Sequence, residues 1–320
     1  MKTLDLITAG EAMLRLSPPP GGLLADTPQL CVYAGGTECN VAVAVAQMGY
    51  RARWLSRLSD NPLGRRVARE TAGYGVDCSE IVWTSEDRVG TYYLEHGAAP
   101  RPTRVIYDRA HSAASKMGPD TFNLAQLAQA RILHLTGITP ALSESCYALG
   151  ARMLEHARKH GLTVVFDVNF RALLWSPEVC AARLAPLLEQ VDVLICTRQD
   201  AATVFDLHGE PAHVLNALQA RFGARRVVVT LGKAGAIALE NEIMRIADGY
   251  SVQIVDRIGA GDAFAAGIIC GLLEEDFWLG LRYGVAMSAL QLTLRGDQLR
   301  LSRAEVLRLM EEGAPTRPVR

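Results

Sequence analysis

Thr163-Val-Val-Phe-Asp167, Val193-Leu-Ile-Cys196 and Val227-Val-Val-Thr230 are three short apolar runs in one half of the chain. None of them alternates polar with apolar residues. That is how strands covered on both faces read, and such strands belong to parallel sheets. The stretch between the first two, 178–190, has the Ala/Leu-rich period of an amphipathic helix, as does 141–160 upstream. Strand, helix and strand in repetition imply right-handed crossovers within one sheet. Working outward, strands are expected at 4–9, 53–57, 132–136, 163–167, 191–196, 226–231 and 236–239. No Pro/Gly/Ser-rich linker, internal repeat or low-complexity tract divides the chain. The expectation is α/β: one doubly wound, mostly parallel sheet flanked by helices, in a single domain over 1–320.

Two segments break the rhythm. Residues 15–33 are rich in Pro and Gly, and 89–108 read VGTYYLEHGAAPRPTRVIYD, two alternating runs joined by a polar turn. Neither fits a crossover helix. A small separate sheet built from residues of about 12–34 and 89–110, covering one edge of the main sheet as a lid, accounts for both.

Composition narrows the function. The 320 residues are 49% hydrophobic and 21% charged, enough apolar material for a sizeable core. Lys+Arg 33 against Asp+Glu 34 leaves a net charge of −1, which argues against a general nucleic-acid or anionic-membrane surface. The seven cysteines have no CxxC spacing, so neither a disulfide framework nor a zinc ribbon is indicated. The N-terminal apolar run is broken by Asp5, unlike a signal peptide, and no run reaches the roughly 18 residues of a membrane span. A soluble cytoplasmic protein is expected. His156 and His160 are spaced to share a metal, but no third ligand accompanies them, and a solvated helix end is the simpler reading.

Chemistry concentrates in Val255-Asp-Arg-Ile-Gly-Ala-Gly-Asp-Ala-Phe264. Gly259, Ala260 and Gly261 precede a strong helical pattern, so they sit where backbone N–H groups lack intrahelical partners and the helix dipole is positive. Small residues let an anion approach that backbone closely. Asp262 falls in the first turn beside the same concavity and, with an ordinary pKa of about 3.9, can accept a hydroxyl proton. The stretch therefore reads as a place that holds a phosphoryl group and deprotonates an alcohol. The bland reading is a tight turn with a first-turn charge. A dinucleotide fingerprint would need glycine at 264, which is Phe264, and the only Gly-Lys pair, Gly232-Lys233, is followed by Ala234 and makes no P-loop.

A second glycine pair, Gly35-Gly36, precedes another helix near the start of the chain, with Asn40 in its first turn. There an amide can bond a sugar hydroxyl, or merely cap the helix.

Together, in this order, these two motifs resemble the PfkB/ribokinase family of sugar kinases, and the resemblance runs nearly end to end. It implies a ribokinase-like fold with a β lid, ATP and Mg²⁺, phosphorylation of a primary alcohol, Asp262 as general base and Gly259–Gly261 as the anion hole. Within the family, Thr8-Ala-Gly-Glu11, Val105-Ile-Tyr-Asp-Arg109, His134-Leu-Thr-Gly-Ile-Thr-Pro-Ala-Leu142, Asp167-Val-Asn-Phe-Arg171 and Arg295-Gly-Asp297 are most similar to 2-keto-3-deoxygluconate (KDG) kinases. Carried over by position, Gly35, Gly36, Asn40, Tyr92, Tyr107, Arg109, Arg171 and Asp297 line the acceptor site. Thr230, Gly232 and Gly235 match the nucleotide loop, with Asn169 and Arg171 between the two substrates. Arginines suit KDG, whose carboxylate calls for fork-like donors that a neutral sugar does not need. The resemblance also implies a homo-oligomer, since related lids pair into dimers.

The sequence departs from the family at two places. The loop before GAGD commonly carries Asp-Thr or Asp-Pro and often holds a monovalent cation, whereas Asp256 here precedes Arg257, so cation dependence stays open. The Asn-x-x-Glu associated with Mg²⁺ appears as Thr197-Arg-Gln-Asp200, with Asp200 keeping a shorter carboxylate and an indirect role at the metal. Fructose, ribose or 2-ketogluconate as acceptor, or a catalytically idle sugar-acid-binding protein, are the competing readings.

Overall fold

The computed structural model describes residues 2–98, 100–313 and, as backbone, 316–318. Nine strands form the main sheet, in the order Thr316–Pro318, Ile243–Ala247, Ala236–Glu240, Arg226–Thr230, Val193–Thr197, Thr163–Asp167, Ala130–Thr136, Leu4–Ala9 and Ala52–Leu55. The last six are mutually parallel, and the first three add antiparallel at one edge. The apolar runs owe their lack of alternation to two cores. Val165, Val193, Ile195 and Val228 face one of them, under the helices Thr37–Gln47, Ala260–Leu273 and Phe277–Gln291. Val164, Phe166, Leu194, Cys196, Val227 and Val229 face the other, under Glu144–Lys159, Pro177–Leu188 and Pro211–Phe222. Each apolar residue of a run is therefore buried, whichever way it points.

Expected and observed elements differ in instructive places. The run 53–57 is not one strand. Ala52–Leu55 joins the main sheet, and Arg57–Ser59 pairs with Val82–Thr84 in a separate two-stranded sheet. Ser56, fully buried, donates to the Gly10 carbonyl where the chain changes sheets. The stretch 141–160 begins with a short 3₁₀ turn, Thr139–Ala141, before the α-helix starts behind its Ser143 N-cap.

Both segments that break the rhythm contribute to a four-stranded sheet, ordered Cys31–Gly35, Met13–Ser17, Thr91–Glu95 and Arg104–Asp108. Tyr92 and Leu94 on its inner face are buried, whereas Arg104, Ile106 and Asp108 point outward and are exposed. All seven cysteines are free thiols. Among the described residues no helix is long and apolar enough to cross a membrane.

Candidate active site

From Leu4–Ala9 the chain first adds Ala52–Leu55 on one side and later Ala130–Thr136 on the other. A reversal of strand order opens a crevice at the carboxyl ends of the strands, where doubly wound sheets hold ligands. Here the crevice is a cavity of 260 Å³. Its floor comes from the segments that leave four adjacent strands: Glu11, Ile138, the Asp167–Asn169–Arg171 stretch, and Thr197 with Asp200. The start of the helix Ala260–Leu273 forms one wall, and Met13, Tyr92, Val105 and Tyr107 of the small sheet form another.

Gly259 caps that helix at φ 80, in the left-handed region, and a Cβ there would lie 2.0 Å from the Asp297 carbonyl oxygen. Only glycine satisfies both conditions. The first helical bond runs from Ala263 N–H to Gly259 C=O, so the amides of Ala260, Gly261 and Asp262 precede it. Gly259 and Gly261 line the cavity, while Ala260 between them does not. The helix is held against Phe277–Gln291 by close contact between Gly267 and Gly284.

Asp262 is buried and its Oδ2 accepts from Asn40 Nδ2 at 2.6 Å. Asn40 Oδ1 in turn accepts from Gly36 N–H at 3.3 Å. This amide thus bridges two helix starts, and its orientation is fixed without a sugar. The approach is close: a Cβ on Gly36 would meet the Glu11 carbonyl oxygen at 2.0 Å. Buried Glu38, two residues before Asn40, anchors the same helix by accepting from Thr136 and Thr139 hydroxyls at 2.7 Å each.

Burial pushes the Asp262 carboxyl up to about 7, against the opposing pull of the Asn40 amide and the Arg171 charge. Burial, with repulsion from Asp200 and Asp262, pushes Asp167 up to about 8. Asp200 is also raised by burial. Asn169, at φ 43, turns back so that its N–H and Nδ2 donate to Asp167 at 3.2 and 3.1 Å. Five carboxyl side chains (Glu11, Asp167, Asp200, Asp262, Asp297) and three arginines (Arg109, Arg171, Arg257) line one cavity. Protons held on Asp167 and Asp262 near neutrality reduce its negative charge.

Those shifts carry a stability consequence. Both groups keep protons in the folded chain at pH values where the unfolded chain, at a pKa of about 3.9, has lost them. Folding therefore binds protons, and stability falls as pH rises from the unfolded value through about 7 and about 8. Asp167→Asn is expected to raise the melting temperature more at pH 8 than at pH 5. Equal shifts at both values, read by thermal melts, would contradict the raised pKa.

On the side of the small sheet, the buried Tyr92 hydroxyl donates to Asp297, and its ring lies 5.7 Å from that of half-buried Tyr107. Arg109 is paired with Glu11. Its Nε donates to Glu11 Oε2 at 2.8 Å and its Nη2 bonds the same oxygen, leaving Nη1 without a partner among the described residues. Ser112 also donates to Glu11. Arg171 is exposed, with Nη1 on the Phe170 carbonyl at 3.0 Å.

Gly35, Gly36, Asn40, Tyr92, Tyr107, Arg109, Asn169, Arg171, Asp200, Gly259, Gly261, Asp262 and Asp297 all line the cavity. Thr230, Gly232 and Gly235 do not. They lie one strand further along the same carboxyl edge, where Thr230 pairs with Thr197, a lining residue. Sequence reasoning gave no role to Glu11, Asp167 or Arg15. Asp167 carried a readable signal, a carboxyl closing an apolar central strand. Arg15 carried none.

Residues 4–303 match the profile of the pfkB family carbohydrate kinases. The chain is 38% identical to the 2-dehydro-3-deoxygalactonokinase of Haloferax volcanii, over 97% of this chain and 98% of that one. It is 30% identical to the 2-dehydro-3-deoxygluconokinase of Thermoproteus tenax, over 92% and 90% of the two chains. Among solved structures it resembles the 2-dehydro-3-deoxygluconokinase of Thermotoga maritima, with a TM-score of 0.92 at 35% identity, covering 96% of this chain and 98% of that one. A match running from residue 4 to residue 303, in a chain whose strands superpose on those of its relatives, places this protein in the pfkB family of carbohydrate kinases, with the ribokinase-like fold.

Proposed function

We propose that this kinase transfers the γ-phosphoryl group of ATP to the terminal hydroxyl of KDG, giving 2-keto-3-deoxy-6-phosphogluconate. The observation that carries the reading is one cavity lined by both a raised carboxyl at a helix start, Asp262, and two arginines suited to a carboxylate, Arg109 and Arg171. The acceptor lies among Gly35, Gly36, Asn40, Tyr92, Tyr107 and Asp297. ATP lies along the carboxyl edge, over Thr230, Gly232 and Gly235, with Asn169 and Arg171 between the substrates. The small sheet acts as a lid that excludes water competing for the phosphoryl group.

Asp262 takes the proton of the terminal hydroxyl as that oxygen attacks the γ-phosphorus in line. The amides at Gly259–Gly261 and the Arg171 guanidinium receive the charge on the transferring group. Magnesium supplies neutralisation of the nucleotide's phosphates. The residues present fit an ion held chiefly by those phosphates and water: Asp167 and Asp200 repel each other across the floor, and no three His, Cys, Asp or Glu among the described residues could hold a metal unaided. Asp200, with Asp167 beside it on the cavity floor, would help hold such an ion. A homo-oligomer belongs to the same reading, supported by Ile106, 57% exposed on the outer strand of the small sheet; light scattering tests it.

The Haloferax volcanii relative supports a second acceptor, 2-keto-3-deoxygalactonate, which differs from KDG only in configuration at C4. An ATP-coupled assay of KDG, its galactonate epimer, 2-ketogluconate, fructose, ribose and adenosine tests the reading. The keto-deoxy acids are expected to have the highest kcat/KM. A neutral sugar ahead of them would overturn the acceptor, and no turnover with KDG bound would favour an idle binding protein.

Arg109→Ala is expected to weaken sugar-acid binding by about tenfold or more, the loss of about 1.5–3 kcal/mol from a charged hydrogen bond. ATP binding should change far less. Removing Arg109 also leaves the Glu11 charge facing the sugar's carboxylate. Equal losses for both ligands, measured by calorimetry, would contradict the contact.

A further inference from the structure

Arg15 is 1% exposed, although a guanidinium is among the groups least often buried. It sits mid-strand in Met13–Ser17, on the inner face of the small sheet, and its two terminal nitrogens reach the carboxylates beside the cradle. Nη1 donates to Asp297 Oδ1 at 3.0 Å, Nη2 meets Asp256 Oδ2 at 2.6 Å, and Nε donates to Ser17 at 2.8 Å. His96 Nε2 lies 2.8 Å from Nη2, and the Tyr33 ring centroid 5.2 Å from the guanidinium carbon. Burial works against the charge, but Asp297 and Asp256 outweigh it and raise the Arg15 pKa.

The two carboxylates flank the anion cradle. Asp256 stands three residues before Gly259, and the Asp297 carbonyl is the surface on which Gly259 packs. In the family this loop often holds a monovalent cation, and with Arg257 in it the sequence leaves cation dependence open. The residues present do not fit one, because the Arg15 guanidinium already sits 2.6 Å from Asp256 Oδ2 and would repel a second cation. Oδ2 also accepts Gly296 N–H at 3.2 Å, and Oδ1 accepts Ile258 N–H at 3.1 Å. Arg257, the residue that drew attention in the sequence, is exposed at the cavity wall instead.

We propose that Arg15 is the built-in cation of this loop, a positioning residue that ties the cradle to the small sheet and makes turnover independent of added monovalent cations. The inference rests on the kinase reading for its catalytic half. Arg15 acts through Asp256 and Asp297, not on the substrates. Without it, the two buried carboxylates lose their shared guanidinium, and the Gly259 turn between them loses support. They keep only the Tyr92 hydroxyl on Asp297 and the Ile258 and Gly296 amides on Asp256, with His96 Nε2 3.6 Å from Asp256.

The test compares wild type, Arg15→Lys and Arg15→Gln in potassium, sodium and tetramethylammonium chloride at equal ionic strength, reading kcat, KM and melting temperature. Wild type is expected to give the same kcat and melting temperature in all three salts. Folded Arg15→Gln should lose about thirtyfold in kcat, part of the loss of an anion-hole donor, with little change in sugar KM. Potassium or millimolar guanidinium should restore part of that loss, and Arg15→Lys should keep more activity than Arg15→Gln. A wild type activated or thermally stabilised by potassium over tetramethylammonium would overturn the proposal, as would Arg15→Gln with wild-type kcat. If Arg15→Gln does not fold, the wild-type salt series decides. A wild type that phosphorylates no sugar acid in any salt contradicts the proposed acceptor alone, and the melting series still judges Arg15.

Discussion

Asp262→Asn lowers turnover at least about a hundredfold while KDG binding stays near that of wild type, because a positioned base contributes about 10²–10⁴ in rate. The change is nearly isosteric, and an asparagine oxygen at 262 can still accept from Asn40 Nδ2, so the bridge between the two helix starts survives. What disappears is the group that takes the hydroxyl proton. The raised pKa adds a second signature. In wild type kcat/KM should rise with pH through about 7, as Asp262 ionises, and level off above it. In Asp262→Asn the residual rate should lose that rise. Retained turnover, or an unchanged pH profile, would remove Asp262 from the role of base.

Gly259→Ala tests the cradle independently. At φ 80 an alanine pays for the left-handed backbone with about 1–2 kcal/mol, and its Cβ would strike the Asp297 carbonyl oxygen at 2.0 Å. Backbone against backbone cannot yield by a rotamer change, so the turn itself must move and the amides after it lose their aim. A lost anion-hole donor costs about 10²–10³ in rate, and a drop of that order in kcat is expected, with a lowered melting temperature. Gly261→Ala separates the two effects. Beyond its own helical turn, no atom among the described residues lies within 4 Å of a Cβ at Gly261, which lines the cavity from inside the helix. That variant should melt no lower than wild type yet transfer phosphate slowly, since its methyl occupies space meant for the anion. Wild-type kcat in Gly259→Ala would contradict the cradle.

Much of the fold was readable because burial on two faces leaves a strong mark. Runs such as Thr163–Asp167 and Arg226–Thr230 fill two cores at once and therefore carry no polar register. The edge was less readable. Ile243–Ala247 has only one buried residue, and Arg245 splits its apolar residues into two pairs too short to read as a buried strand. The break between Ala52–Leu55 and Arg57–Ser59 depends on one serine turning toward Gly10, a tertiary bond that local pattern does not encode.

The site divides in the same way. Gly259, Gly261 and Asp262 were legible from physics, since a helix start advertises its unpaired amides. Tyr92, Tyr107, Arg109, Arg171 and Asp297 came from resemblance, and their pattern alone would not have singled them out. The pairing of Arg109 with Glu11 spans 98 residues, and that of Arg15 with Asp297 spans 282. No spacing rule reaches so far. Arg15, on a strand of alternating apolar residues, looks like an ordinary outward charge until the fold turns it inward.

The most direct measurement is the position of the phosphorus in the product. After incubation with KDG and ATP, phosphorus–proton correlation by nuclear magnetic resonance should show coupling to the two protons of the terminal carbon, with one ADP per phosphoester. Phosphate on a different oxygen, or inorganic phosphate released in place of any ester, would contradict transfer from the cradle to a terminal alcohol deprotonated by Asp262.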